Sequence, residues 1–176
     1  ASNDISGYPI AQLLFTTVIL IAGSEEVCKF CLFKWFIYGR KEFDEPYDGI
    51  MYAVAISLGF AALENFIYVL GFGVNTGILR AVTAVPAHGA FGVLIGYYAG
   101  RAKFIFPDNA ARELRKGLLC AIAAHGLYDF CAFSPDPKVA AFSLAILGVC
   151  VRLSLRAMKI QAVCTIPENK ANQTPS

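Results

Sequence analysis

Long apolar stretches dominate this chain, and several of them are long enough to form membrane-crossing helices. A bilayer core about 30 Å thick requires about 20 apolar residues per helix. Five stretches approach that length, at about 8–38, 48–71, 77–100, 116–133 and 138–158. Turn-forming residues separate them, as in Ser134-Pro135-Asp136-Pro137. The pattern therefore predicts an all-α, polytopic transmembrane helical bundle with about five spans.

Composition supports a membrane environment. The chain is 57% hydrophobic and 16% charged, whereas a soluble domain carries about 25% charged residues. We therefore expect the lipid bilayer to surround the protein. No basic patch with interleaved aromatic residues suggests nucleic acid, so no nucleic-acid partner is predicted. The pair Cys28 and Cys31 forms a C-x-x-C within an apolar helical run, and we expect these thiols to be buried packing residues without disulfides.

Basic residues are distributed unevenly along the chain, which predicts an orientation. If the N-terminus lies outside, all but two of the 15 lysines and arginines fall on the inner side, including Lys29. The exceptions are Arg80 and Lys138. This asymmetry predicts a multi-pass cell-membrane protein whose C-terminus is cytoplasmic. We expect residues 1–159 to form a single transmembrane domain and residues 160–176 a polar, disordered tail.

The start of the chain favours a longer parent protein. The first residue is Ala1, and no targeting segment precedes an N-terminus that we place outside. Upstream spans would explain both observations, so we expect the chain to be a fragment.

Ionisable residues inside the predicted spans indicate a functional site. They are Glu25, Glu26, Glu64, His88 and His125. Each costs about 2.5–3.5 kcal/mol to insert into a membrane, so such residues tend to face the interior of a bundle. At 1.5 Å of rise per residue, all five fall in one layer near the middle of the membrane. We therefore expect a site at this depth.

Helical spacing gives these residues local partners. Lys29 lies one turn after Glu25 and Glu26, so it can offset their charge. Asp129 lies one turn after His125 and can orient its imidazole by hydrogen bonding. We therefore predict orienting roles for Lys29 and Asp129.

Small residues recur every three or four positions along the third predicted span. They are Gly89, Gly92, Gly96 and Gly100. A stripe of this kind allows two helix backbones to approach closely. We expect a neighbouring helix to pack against it.

Carboxylates and imidazoles at one depth suit two hydrolytic mechanisms. A glutamate can act as general base on water while histidines stabilise the oxyanion. Alternatively, His88, His125 and Glu64 can bind zinc and leave an open position for water. The sequence contains neither H-E-x-x-H nor G-x-S-x-G. The residues favour a membrane-embedded hydrolase, with either zinc or no cofactor.

The same residues form an ordered series of motifs. They are Glu-Glu-x-x-Lys at 25–29, Phe-x-x-x-Glu at 60–64, HGAFG from His88 and HGLYD at 125–129. The segment DEPYDGIMYA at 44–53 precedes the second motif. With these motifs the chain resembles the PrsW family of intramembrane proteases, over about residues 23–133. A wider superfamily links that family to type II CAAX prenyl endopeptidases, in which the second motif ends in histidine; the present motif ends in Glu64.

The resemblance implies a helical membrane peptidase, either a metalloprotease or a glutamic protease. Its implied substrate is a membrane-anchored protein such as a single-span anti-sigma factor. Glu25 or Glu26 would activate water, Glu64, His88 and His125 would complete the site, and Asp129 would orient His125.

Two other functions use similar residues. A non-catalytic scaffold of the same superfamily is one alternative, although such a scaffold has no need of water-activating carboxylates. A proton-coupled transporter is the other, because membrane Glu and His also form proton relays. The absence of an evident internal repeat makes a transporter less favoured.

Overall fold

The computed structural model describes residues 10–165, and this part of the chain is built from helices joined by short turns. The first is continuous, from α1 (Ile10–Leu14) through a π-helical segment (Phe15–Gly23) to α2 (Ser24–Phe36). It is followed by α3 (Pro46–Phe72), α4 (Val74–Val82), α5 (Ala84–Gly100), a π-helical turn (Arg101–Ile105), α6 (Ala110–Ala132) and α7 (Pro137–Thr165). The predicted all-α fold class is confirmed.

Several of these helices have the length and apolarity of membrane spans. Ile10–Phe36, Pro46–Phe72 and Pro137–Cys164 meet both requirements, and Val74–Val82 together with Ala84–Ile105 forms one further, bent candidate. Large apolar side chains such as Trp35 cover the outer surface of the bundle. The fold is thus a multi-pass helical membrane bundle. The remaining predicted span, in α6, includes Arg115, Lys116 and Asp129, which lower its hydropathy, so the count of five stays a prediction.

The predicted third span is divided into two helices rather than continuous. α4 and α5 meet at Thr83 with a bend of 40°. Pro86 explains the break, because proline has no N–H to donate to the carbonyl of Val82 and its ring would clash with that carbonyl. The bend places the short helix α4 beside the end of α3.

Helix α5 lies at the centre of the bundle and packs along α3. The predicted close approach is confirmed for three glycines, where an added Cβ atom would overlap α3: Gly92, Gly96 and Gly100. At Gly96 this atom would meet the carbonyl oxygen of Gly49. Gly89 differs, since its Cβ would make an ordinary contact of 3.4 Å with Leu58. The glycines of α5 therefore let the two backbones touch, and this contact sets the distance between α3 and α5.

The α2–α3 connection is anchored to the end of α5. Lys103, in the π-helical turn, donates hydrogen bonds to the carbonyl oxygens of Tyr38, Arg40 and Phe43 at 3.2, 3.2 and 2.6 Å. Phe43 is buried, and the Lys103 ammonium lies 4.4 Å from the centroid of its ring. These contacts fix α2, which carries the first motif, relative to α5.

The structure also bears on the predicted C-terminal tail and on the C-x-x-C pair. Helix α7 extends to Thr165, whereas the predicted tail begins at Ile160; residues 166–176 lie outside the described residues. The expectation of buried C-x-x-C thiols is wrong for Cys28, which is exposed, while Cys31 is half-buried. Helical spacing turns Cys28 toward the outside of the bundle, where an apolar thiol is compatible with lipid.

Candidate active site

The site is built around the ammonium group of Lys29 in α2. Its Nζ donates to Glu26 Oε1 at 2.7 Å and lies 3.5 Å from Glu25 Oε2 and 2.8 Å from His88 Nδ1. An ammonium has three donors and no acceptor. His88 Nδ1 must therefore accept, which places the imidazole proton of His88 on Nε2. The predicted pairing of Lys29 with both glutamates is confirmed.

The other ring nitrogen of His88, Nε2, lies close to Glu64 without the geometry of a hydrogen bond. These two groups, on α5 and α3, are 3.1 Å apart at Oε2 of the glutamate. The same oxygen lies 2.9 Å from Nη2 of Arg80. Ser57 donates to the backbone oxygen of His88 at 2.6 Å, and Phe60 stacks on its ring. His88 is thus held by hydrogen bonds at Nδ1 and at its backbone oxygen, while Nε2 faces Glu64.

His125 in α6 lies between two carboxylates. Its Nδ1 is 2.9 Å from Glu26 Oε1, and its Nε2 is 3.2 Å from Asp129 Oδ2. The ring of Phe91 stacks on the imidazole with centroids 4.8 Å apart and an interplanar angle of 18°. The contact between Asp129 and His125 is the one that an orienting role requires.

These contacts join into one unbroken series across the interior of the bundle. In order, the series contains Arg80, Glu64, His88, Lys29, Glu26, His125 and Asp129, with Glu25 beside Lys29. The structure therefore brings together all five predicted site residues. Carboxylates outnumber cations in the series when both imidazoles are neutral. In a low-dielectric interior such an excess favours bound protons or a cation.

Only one of the two carboxylate oxygens of Glu26 takes part in these contacts. The side chain is fully buried, and Oε1 is shared by Lys29 and His125. Among residues 10–165, no group donates a hydrogen bond to Oε2. An unpaired buried carboxylate oxygen is costly, so it calls for a water or a cation. The neighbouring Glu25 is 14% exposed and is the more accessible of the two.

Three residues have the geometry of a metal-binding group. Ligand atoms of Glu25, His88 and His125 all lie within 4.8 Å of one another. Two imidazoles and a carboxylate are donors found in catalytic zinc sites, so the donor types suit the ion, although each imidazole nitrogen faces another side chain here. The predicted set contained Glu64 in place of Glu25. Because Glu64 is engaged by Arg80 and His88, the geometry favours Glu25 as the carboxylate ligand.

The π-helical segment determines how closely α6 approaches the first motif. A Cβ atom on Gly126 would lie 2.8 Å from Cα of Val18. This contact is next to His125 in sequence, so it brings the imidazole against Glu26. Thr17 and Ser24 donate their hydroxyl groups to backbone oxygens within and beside the segment. Such bonds satisfy carbonyls that a π-helix leaves less regularly paired.

Two residues that contribute to the site were not predicted, and a third was counted in the wrong place. Arg80 was counted only as an outer-side basic residue, yet it reaches Glu64; its sole signal was a lone arginine near the start of the predicted third span. Phe91 gave no signal beyond its place in HGAFG. Lys29 was counted among inner-side basic residues, but its side chain is 2% exposed within the site, so it carries no information on orientation.

Fold and site together define a multi-pass helical membrane protein with a buried carboxylate–imidazole site. The sequence model described as PrsW family intramembrane metalloprotease matches residues 4–155. The chain therefore belongs to the PrsW family.

Curated relatives agree with this assignment. A Protease PrsW of Geobacillus kaustophilus is 40% identical over 130 residues, which is 74% of this chain and 56% of the relative. The Protease PrsW of Oceanobacillus iheyensis is 42% identical over 110 residues, 62% of this chain and 51% of the relative. That of Bacillus subtilis is 42% identical over 102 residues, 55% and 47%. The chain thus spans about half the length of these relatives. No solved structure matches it.

Proposed function

We propose that this protein hydrolyses peptide bonds of membrane-anchored protein substrates, such as a single-span anti-sigma factor. The observation that carries the proposal is the state of Glu26. One carboxylate oxygen is fixed by Lys29 and His125, while the other is buried without a donor. A carboxylate oriented in this way is ready to take a proton from water.

In the proposed reaction, Glu26 Oε2 removes a proton from a water molecule, whose oxygen attacks the carbonyl carbon of the substrate. The C–N bond of the tetrahedral intermediate then breaks, and the proton passes from Glu26 to the leaving nitrogen. Lys29 and His125 lie beside Glu26 and would stabilise the oxyanion. Asp129 holds the His125 ring, and Glu64 holds the His88 ring.

Zinc binding would replace some of these contacts, because both nitrogens of His88 and of His125 face other side chains here. The ion would be held by Glu25, His88 and His125, where it supplies polarisation of a bound water or a carbonyl oxygen. We expect the purified protein to contain about one zinc per chain, and a chelator to reduce cleavage until zinc is restored. Metal analysis checks this, with His88→Ala expected to lose zinc. Full cleavage by protein without bound metal would instead indicate a glutamic protease.

The function itself is tested with purified protein in detergent and labelled single-span substrates. We expect the wild type to cleave a substrate that Glu25→Ala, Glu26→Ala and His125→Ala cleave at least about 100-fold more slowly, because each variant removes a group next to the reacting water. Undiminished cleavage by all three variants would contradict the assigned site. A folded wild type that cleaves no substrate of a broad panel would favour a non-catalytic scaffold.

We further propose that the N-terminal end of the chain lies outside and the C-terminal end in the cytoplasm. The excess of basic residues in the α5–α6 connection and in α7 supports this orientation, with Lys29 left out of the count. In this orientation α4 lies toward the outer face.

A further inference from the structure

Arg80 is a basic residue of α4 that enters the site from outside the predicted motifs. Its Nη2 lies 2.9 Å from Glu64 Oε2, and its guanidinium lies 3.8 Å from the centroid of the Tyr68 ring. The side chain is only 14% exposed. It is therefore held on one side by a carboxylate and on the other by an aromatic face, an arrangement that suits arginine better than lysine.

The helix that carries Arg80 is packed firmly on α3. Asn65 donates a hydrogen bond from Nδ2 to the carbonyl oxygen of Gly77 at 3.2 Å. A Cβ atom on Gly77 would overlap the side chain of Val69. Both contacts are made at Gly77, about one turn before Arg80, so α4 presents Arg80 to Glu64 from a fixed position.

We propose that Arg80 is a positioning residue for the hydrolytic site, acting on His88 through Glu64. The inference rests on the function proposed above. Glu64 Oε2 is shared by Arg80 and by His88 Nε2. Lys29 occupies His88 Nδ1, so Nε2 carries the ring proton, and Glu64 Oε2 faces this nitrogen at 3.1 Å. Without the guanidinium of Arg80, the Glu64 carboxylate loses its ion pair and no longer fixes the orientation of the His88 ring.

Arg80 differs from a residue that merely joins two helices. In the described part of the chain the ion pair of Arg80 is with Glu64, and no hydrogen bond or ion pair joins it to Glu26, so it acts on the proposed reacting groups through other residues. Loss of a partner that orients a histidine through a carboxylate typically lowers activity 10- to 100-fold. The expected effect is therefore on the rate of the bound complex and not on substrate binding.

The kinetic test uses Arg80→Met, Arg80→Lys, Glu64→Gln and the double variant Arg80→Met/Glu64→Gln. We expect Arg80→Met to lower kcat about 10- to 100-fold with little change in KM, and Arg80→Lys to recover part of the loss. The double variant should match Glu64→Gln alone, since both changes interrupt one connection. Arg112, exposed on α6, provides the matched control Arg112→Met, which should behave as wild type. Independent, multiplicative losses or an unchanged kcat for Arg80→Met would overturn the proposal.

A second readout does not depend on cleavage. The chain contains two histidines, so ¹⁵N NMR of histidine-labelled protein resolves both rings, with His125→Asn assigning them. We expect Arg80→Met to move the His88 Nε2 signal while His125 stays in place, and Arg80→Lys to restore it. An unchanged His88 signal would overturn the role of Arg80. If the wild type cleaves nothing while the NMR result is as expected, only the proposed function fails.

Discussion

Replacing Glu26 by glutamine is expected to lower kcat/KM for substrate cleavage by about 10³-fold, within the 10²–10⁴ range of general-base catalysis. Glutamine has nearly the shape of glutamate, and its amide oxygen can still accept from Lys29, which is 2.7 Å from Glu26 Oε1. The amide nitrogen, however, cannot take a proton from water. Activity should therefore be lost while the helices stay packed, as measured by cleavage rate and thermal unfolding of the same samples.

The control for Glu26→Gln is Glu42→Gln, because Glu42 is an exposed glutamate in the α2–α3 connection. It should leave both cleavage and unfolding unchanged. If Glu26→Gln retained more than about a tenth of the wild-type kcat/KM, the Glu26 carboxylate would be excluded as the general base. A large fall in its unfolding temperature would instead show that the main role of Glu26 is to hold Lys29 and His125.

Replacing Gly96 by alanine is expected to destabilise the bundle by about 3 kcal/mol, at the upper end of overpacking by a single group. The new methyl group would overlap the carbonyl oxygen of Gly49 and the Cα atom of Ile50. Backbone atoms cannot turn aside as a flexible side chain can, so α3 and α5 must separate. Since these helices carry Glu64 and His88, cleavage should fall as well. Unfolding in mild detergent measures the loss.

Gly59 provides the matched comparison within the same helix pair. It lies on α3, and an added Cβ would meet nothing within 4 Å. Because alanine favours a helix over glycine by up to about 1 kcal/mol, Gly59→Ala should be neutral or mildly stabilising. Equal unfolding temperatures for Gly96→Ala and Gly59→Ala would contradict the packing described for α5.

Much of this site could be predicted from sequence because hydrophobicity and helical spacing act locally. Ionisable residues in apolar stretches must avoid lipid, so Glu25, Glu26, Glu64, His88 and His125 were expected to meet in the interior. One-turn spacing predicted the contact of Lys29 with the glutamates. The glycines of α5 predicted a close helix contact, which the structure shows at Gly92, Gly96 and Gly100.

Features that depend on several helices at once could not be predicted. Helical spacing does not state which histidine meets which glutamate, and the structure pairs His125 with Glu26 and His88 with Glu64. This pairing depends on the contact between Val18, in the π-helical segment, and Gly126 of α6. No residue pattern in the sequence indicated that contact. Arg80 was missed because its approach to Glu64 requires the bend between α4 and α5.

Hydrolysis catalysed by Glu26 is tested by the intact mass of a single-span substrate incubated in vesicles with wild-type protein or with Glu26→Gln. We expect two fragments from the wild type, whose masses together exceed that of the substrate by one water, and uncut substrate from the variant. The same two fragments appearing at equal rates with both proteins would contradict this role of Glu26.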